Sequence, residues 1–155
     1  MGLDVHMTTK SLSLSPEMLM PRLGDSLVHK RHIRANPQKI AWALGQLLDN
    51  AVKFTFSGGR VVPGVQCETT NLVIISVTDT GIGIPPNRIG EIFEPFHQLG
   101  ASTTRRYSGT GIGLSLVCQI VETHGSMLEV ISADGKGSIC KFPVLAIAEE
   151  KAENG

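Results

Sequence analysis

The chain has 155 residues, of which 41% are hydrophobic and 18% are charged, so its length suits one domain with a buried core. Lysine plus arginine equals aspartate plus glutamate at 14 each, and this balance argues against nucleic acid or an anionic membrane as a partner. Three widely spaced cysteines without a CxxC pair disfavour disulfides and zinc, and they fit a reducing cytoplasm.

The two ends of the chain carry little structural signal. No apolar run reaches the roughly 18 residues that a membrane span needs, and the first residues lack periodicity. We expect a disordered or expression-derived N-terminus over residues 1–9, one domain over residues 10–147 and a disordered tail over residues 148–155. Alternating apolar residues predict two short strands early in the domain, at Ser11–Ser15 and at Leu27–Arg34.

The strongest pattern begins at Asn36, a good N-cap residue followed by Pro37, and it predicts a helix as far as Thr55. At about 100° per residue, apolar residues gather on one side of this helix and polar residues on the other. The apolar set is Ile40, Leu44, Leu47, Leu48 and Ala51, and the polar set is Lys39, Gln46, Asn50 and Lys53. A solvated polar face is the simplest interpretation, but an amide and an ammonium three residues apart also suit Mg²⁺ and phosphate.

Further along the chain, strand and helix patterns follow in a regular order. Strands are predicted at Arg60–Cys67 and Leu72–Thr78, a short helix at Pro86–Ile92, a long loop at Pro95–Ser108, a helix at Gly111–His124, and strands at Met127–Ser132 and Ser138–Ile147. This order predicts an α/β (α+β) two-layer sandwich with helices on one face of a mixed, mainly antiparallel sheet.

Asp79 directly follows the predicted buried strand, at the start of the run DTGIGIP. Gly81 and Gly83 in this run permit a ligand to approach the backbone closely. A carboxylate fixed at a strand end can accept a hydrogen bond from an exocyclic amine such as that of adenine. A structural turn, in which Asp79 caps nearby amides, is an equally good interpretation of this motif alone.

A second glycine-rich run, GTGIGL at Gly109–Leu114, stands where the predicted long loop meets the last helix. Free backbone N–H groups and the helix dipole favour phosphate there, although the run fits neither the Rossmann nor the Walker A pattern and is weak evidence alone. Arg105 and Arg106 precede it and could pair with a triphosphate, whereas exposed arginine pairs often serve only solubility.

Taken together, these motifs resemble the catalytic and ATP-binding domain (HATPase_c) of two-component sensor histidine kinases, in the GHKL superfamily that also holds gyrase, Hsp90 and MutL. The likeness runs from about Lys10 to Leu145. The stretch LLDNAVKFT resembles the N box, DTGIGIP the first glycine box, IFEPFHQ the F box, and STTRRYSGTGIGLSL the lid with the second glycine box. The resemblance implies the Bergerat ATP-binding fold, with ATP and Mg²⁺ as cofactors.

The resemblance also implies roles for individual residues. Asn50 would ligate Mg²⁺, Lys53 would contact phosphate, and Phe54 would lie against the adenine ring. Asp79 would accept from the adenine amino group, in a pocket shaped by Gly81, Gly83 and Ile84. The phosphates would be bound beneath a mobile lid by Arg105 or Arg106 and by Gly109, Thr110, Gly111, Ile112, Gly113 and Leu114. Gln46 would complete the site in place of the family's more usual Asn, which puts the affinity for the metal in question.

Gln46 also bears on the reaction, because the relatives that hydrolyse ATP carry a glutamate there as general base and an amide cannot take the proton. We therefore expect transfer of the γ-phosphoryl group to a histidine, in two-component signal transduction. The alternatives are a non-catalytic nucleotide-binding module of a degenerate kinase, and an ATPase or serine kinase of the same superfamily.

None of the five histidines has the family's phosphoacceptor motif, so the acceptor is expected on a missing dimerisation domain, with a response regulator downstream. We expect the isolated domain to be monomeric, cytoplasmic and poor in autophosphorylation. Its parent could be membrane-anchored.

Overall fold

The computed structural model describes residues 31–69, 71–95 and 113–148 of the chain. Within these ranges the elements are β1 (Arg31–Ile33), α1 (Pro37–Lys53), β2 (Val61–Thr69), β3 (Leu72–Asp79), a 3₁₀ helix (Pro86–Phe93), α2 (Gly113–Thr123), β4 (Glu129–Ala133) and β5 (Gly137–Ala148). The sheet has the order β1–β5–β3–β2, β4 pairs with the first half of β5, and every described pairing is antiparallel. The predicted α/β sandwich is confirmed.

Helix α1 begins as its sequence predicts, since the Asn36 side chain accepts a hydrogen bond from the Lys39 N–H at 3.0 Å and Pro37 is the first helical residue. The helix ends at Lys53, two residues before the predicted end. Phe54 leaves the helical conformation at φ −100° and ψ 6°, and the Thr55 N–H bonds to the Val52 carbonyl, three residues back, at 3.3 Å.

The core lies between the sheet and the two α-helices. The predicted apolar side of α1 is buried, with Leu47 only 2% exposed, and it packs with Val117 and Val121 of α2 and with Phe142 of β5. Strand β3 alternates, so Val73, Ile75 and Val77 are buried on the same face. Asp79 is two residues beyond Val77, and it therefore reaches the end of this helix-covered face.

Helix α2 ends in a left-handed turn at Gly125, whose φ is +71°. The Gly125 N–H donates to the Glu122 carbonyl and the Ser126 N–H to the Val121 carbonyl, which is the pairing of a Schellman motif. Because Ser126 is still bonded to the helix, the chain becomes extended only at Glu129, two residues later than predicted.

Other predicted segments differ in type or lie outside the described residues. The predicted short helix is present as the 3₁₀ helix, with Pro86 in its first turn. The predicted strand at Ser11–Ser15, the segment 27–30, residues 96–112 and residues 149–155 are outside the described ranges. No helix in the described part of the chain is both long enough and apolar enough to traverse a bilayer.

Candidate functional site

The polar side of α1 is not simply solvated. Gln46, Asn50 and Lys53 are each partly buried, whereas Lys39, nearer the start of the helix, is exposed. The Lys53 ammonium lies 5.5 Å from the centre of the Phe54 ring, within the range of a cation–π contact. The C-terminal half of this face is therefore less exposed to solvent than its start, as a binding face would be.

Asp79 is held by backbone donors. Its Oδ1 atom accepts a hydrogen bond from the Gly81 N–H at 2.8 Å, and the backbone N–H of Ser138 also donates to the carboxylate. Burial raises the pKa of the Asp79 carboxyl, and these two bonds only partly oppose that rise. The capping role weighed as the alternative is therefore present, but a carboxylate has about four acceptor positions, so the two bonds leave capacity for a ligand donor.

The first glycine box is clamped between the end of α1 and the β4–β5 turn. The Ile82 N–H donates to the Phe54 carbonyl at 3.0 Å, and the Ile82 carbonyl accepts from the Gly135 N–H at 2.7 Å. A Cβ on Gly81 would collide with the Phe54 carbonyl oxygen, and a Cβ on Gly83, where φ is +68°, would collide with the Ala133 carbonyl oxygen. Both glycines are thus required by close approach of the protein's own backbone, besides any approach of a ligand.

The β4–β5 hairpin contributes residues that sequence reasoning missed. Ser132 pairs with Ser138 across β4 and β5, and Ser138 pairs with Asp79 across β5 and β3, so the three form one row across the sheet. Gly137 has a φ of +83°, and a Cβ there would collide with the Asp79 carbonyl oxygen. The period of two in β5 puts Ser138 on the face of buried Phe142, but only the strand register shows that it reaches Asp79.

The second glycine box meets the polar side of α1 at Gly113. A Cβ on Gly113 would lie 2.8 Å from Oε1 of Gln46, so the Gln46 side chain reaches the start of α2. Leu114 packs against the hydrophobic core. The other predicted phosphate-binding residues lie outside the described ranges; these are Arg105, Arg106, Gly109, Thr110, Gly111 and Ile112.

Thiol chemistry at this site is disfavoured by the state of the nearby cysteines. Burial raises the pKa of the Cys140 thiol to about 12, and the charges of Asp79 and Cys118 add to the rise. The pKa of the Cys118 thiol is also raised, mainly by burial. Since the thiolate is the nucleophile, these raised pKa values disfavour thiol chemistry at both positions.

The described residues contain no group of three His, Cys, Asp or Glu side chains that could hold a metal ion by themselves. The donors that this site offers are instead the Asn50 amide and, near it, the Gln46 amide. Amide oxygens are hard ligands that suit Mg²⁺, which usually takes one or two protein ligands and completes its shell with water and phosphate oxygens. The donor set therefore fits a metal ion that arrives with a phosphorylated ligand.

Comparison with known proteins gives one consistent family. Residues 35–148 match the family model HATPase_c, described as histidine kinase-, DNA gyrase B- and HSP90-like ATPases. The circadian input-output histidine kinase CikA of Synechococcus elongatus is 45% identical over 105 residues, which are 68% of this chain and 14% of CikA. The chain spans between 14% and 23% of the length of the first three curated relatives that it matches.

Solved structures agree with the sequence comparisons. The mycobacterial sensor histidine kinase MprB matches with a TM-score of 0.68 and 27% identity, covering 77% of this chain and 80% of that one. Full-length ShkA, solved in complex with AMPPNP, matches with a TM-score of 0.65 and 30% identity over 75% of this chain and 24% of ShkA. The chain therefore belongs to the histidine kinase-, DNA gyrase B- and HSP90-like ATPase family, as a domain of the sensor histidine kinase type.

Proposed function

We propose that the chain binds ATP with Mg²⁺ and transfers the γ-phosphoryl group to a histidine on a separate dimerisation and phosphoacceptor domain. The observation that carries this proposal is the hydrogen bond from Ile82 to the Phe54 carbonyl, because it brings the first glycine box against the end of α1. Asp79 and the Asn50–Phe54 segment would thus lie beside the same ligand. The Asp79 carboxylate would accept from its base, and the Asn50 amide and Lys53 ammonium would face its phosphates.

At the base end, Asp79 would accept a hydrogen bond from the adenine amino group, with Gly81, Gly83 and Ile84 lining the pocket and Phe54 beside the ring. Calorimetric titration with ADP tests this assignment. The Asp79→Asn variant presents an amide donor to the adenine amine, and we expect a loss of about 2–3 kcal/mol, or roughly 30- to 150-fold in Kd. Asp134→Asn, in the exposed hairpin turn, is the matched control and should bind normally. An unchanged affinity in Asp79→Asn would remove adenine recognition from Asp79.

At the phosphate end, Asn50 would hold Mg²⁺ and Lys53 would contact phosphate, with Gln46 near the metal's waters. We extend the proposal to Arg105 or Arg106 and to the second glycine box, namely Gly109, Thr110, Gly111, Ile112, Gly113 and Leu114. When bound, the metal would neutralise phosphate charge during transfer. The measurement is ADP affinity with and without Mg²⁺: Asn50→Ala should lose the stimulation by Mg²⁺, whereas Asp49→Asn, exposed on the same helix, should keep it.

Transfer is preferred to hydrolysis because of Gln46. Its amide cannot act as a general base on water, whereas positioning and charge stabilisation suffice for an external nucleophile. The AMPPNP complex of ShkA, a structural neighbour, is consistent with nucleotide binding by this fold.

A trans-phosphorylation assay separates the alternatives. The chain is supplied with MgATP and a separate phosphoacceptor-helix fragment of a histidine kinase, and acid-labile phosphate on the fragment's histidine is expected. Nucleotide binding without transfer would instead identify a non-catalytic module. Release of inorganic phosphate would identify an ATPase, and acid-stable phosphoserine on a partner would identify a serine kinase.

The wider setting follows from this function. We propose that residues 10–147 form the catalytic unit, that the isolated chain is monomeric, and that the parent protein presents it to the cytoplasm and passes its phosphoryl group to a response regulator. Size-exclusion chromatography with light scattering tests the monomer, and limited proteolysis tests the boundaries.

A further inference from the structure

Ser132 in β4 makes three hydrogen bonds through one hydroxyl. Its Oγ accepts from the Ile84 N–H at 2.8 Å, donates to the Gly137 carbonyl at 2.9 Å, and lies 2.8 Å from the Ser138 Oγ. A serine hydroxyl has one donor and two acceptor positions. When the Ser132 hydroxyl donates to the Gly137 carbonyl, its oxygen accepts from the Ile84 N–H and from the Ser138 hydroxyl, so its donor and both acceptor positions are used.

These bonds join the two supports of Asp79. Ile84 belongs to the first glycine box, and Gly81 in that box donates its N–H to the Asp79 carboxylate. Ser138 follows Gly137 in β5 and donates its backbone N–H to the same carboxylate. Ser132 touches neither donor group directly, but its hydroxyl is bonded to the segment that carries each of them.

The glycine box has other attachments that keep it folded without this hydroxyl. The Ile82 N–H is bonded to the Phe54 carbonyl, and the Ile82 carbonyl to the Gly135 N–H. At the other end of the box, however, the described partner of the Ile84 N–H is the Ser132 hydroxyl. Loss of the hydroxyl would therefore leave the box in place, while the Ile84 amide and the Ser138 hydroxyl would lose their partner in β4 and the segments on either side of the Asp79 carboxylate would be held less firmly.

We propose that Ser132 is a positioning residue for base recognition: through Ile84 and Ser138 it sets the direction in which the Asp79 carboxylate meets the base, and so contributes to selection of adenine over guanine. Adenine carries an amino group where guanine carries a carbonyl, and only the amino group can donate to a carboxylate. This inference rests on the proposed nucleotide function and adds a residue that does not itself contact the nucleotide.

The test uses a matched pair, Ser132→Val and Ser132→Thr, in the full chain. Both side chains are β-branched, suit a strand and differ chiefly in the hydroxyl. Calorimetry measures ADP binding, and competition against ADP measures GDP binding. We expect Ser132→Val to weaken ADP roughly tenfold and GDP less than about threefold, and Ser132→Thr to restore ADP to within about threefold of the wild type. Ser76→Ala, at a strand serine whose Oγ donates a long bond to the Gly64 carbonyl at 3.5 Å, is the control and should change neither.

Several results would overturn the proposal. Equal weakening of ADP and GDP by Ser132→Val would reduce the hydroxyl to general support of the pocket, and unchanged ADP binding would remove its role altogether. Ser132→Ala repeats the comparison with a smaller side chain. If circular dichroism shows that neither Ser132→Val nor Ser132→Ala folds, the hydroxyl serves folding instead of base recognition.

Asp79→Asn separates these results from a failure of the proposed function. If the wild type binds no ADP, or if the Asp79→Asn variant binds it equally well, the nucleotide function itself is wrong. If Asp79→Asn weakens ADP and Ser132→Val does not, only the positioning role is lost.

Discussion

Replacement of Gly83 by alanine tests how tightly the first glycine box is packed. Gly125 is a matched control, because its φ of +71° is close to the +68° of Gly83 and a Cβ there would meet no described atom within 4 Å. Gly125→Ala should therefore show only the cost of the left-handed conformation, about 1–2 kcal/mol. At Gly83 the added Cβ also meets the Ala133 carbonyl oxygen, the Ala133 carbonyl carbon at 2.8 Å and the Gly137 carbonyl oxygen at 3.2 Å.

The extra cost at Gly83 follows from what must move to make room. Separating the box from β4 strains or breaks the bonds from the Gly135 N–H to the Ile82 carbonyl and from the Ile84 N–H to Ser132, which measure 2.7 and 2.8 Å. At about 1 kcal/mol for each, with some residual overpacking, Gly83→Ala should lose about 3–5 kcal/mol in all.

Urea denaturation of both variants, followed by circular dichroism, gives the two free energies of unfolding. ADP titration of the folded variants should show weaker binding for Gly83→Ala and normal binding for Gly125→Ala. If the two free energies agree within about 0.5 kcal/mol, the close contact with Ala133 is not a constraint in solution. The description of the first glycine box as tightly packed against β4 would then be wrong.

Three further outcomes follow from the described contacts. Because burial raises the pKa of Asp79, ADP binding should weaken on acidification from a higher pH than for a solvated aspartate. The contribution of this group to the free energy of unfolding should fall as pH rises from its unfolded pKa through its folded pKa. Titrations from about pH 3.5 to 8 check both effects, and Asp79→Asn should remove both. Leu47→Ala should lower the free energy of unfolding by about 2–5 kcal/mol in urea, whereas Leu145→Ala, at a residue 53% exposed, should cost much less. His124→Ala should lower the free energy of unfolding by about 1–2 kcal/mol, because His124 Nε2 accepts from the Asn36 N–H at 3.1 Å and Nδ1 lies 2.7 Å from the Ile120 carbonyl. An unchanged urea midpoint would show that this link between the end of α2 and the start of α1 does not stabilise the helix pair.

The parts of the fold that the sequence predicts well are those with local causes. Helix α1 has its cap, its first-turn proline and its apolar period all within one short stretch, and its start and buried side are confirmed. Its end is less well predicted, since Phe54 leaves the helix where its carbonyl accepts from Ile82, a residue far along the chain. The 3₁₀ geometry of Pro86–Phe93 is likewise not predictable, because the apolar pattern of so short a segment does not distinguish a 3₁₀ helix from an α-helix.

The candidate site divides in the same way. Asp79 is predictable because a strand pattern ends in a carboxylate followed by two glycines, all close together in sequence. Ser132 and Ser138 are not, because their relation to Asp79 depends on the register of β4 on β5 and of β5 on β3. A one-residue slip in either pairing would turn the serines to the opposite face, so no local pattern could have identified them.

The hydrogen bonds that hold Asp79 bear on the base-recognition role proposed for this half-buried carboxylate. Burial alone favours the protonated form, which turns one acceptor oxygen into an O–H donor and removes the charge that strengthens a hydrogen bond from an amine. The two backbone N–H groups, from Gly81 and Ser138, oppose that effect and hold the acceptor form in one direction. Because both donors belong to the backbone of the sheet and of the clamped glycine box, the proposed adenine recognition should tolerate movement of the segments that carry the proposed phosphate-binding residues. We therefore expect Gly113→Ala, which crowds Gln46 on α1, to weaken ADP binding while leaving the preference for ADP over GDP unchanged. A loss of that preference in Gly113→Ala would show that the base and phosphate ends are not held independently.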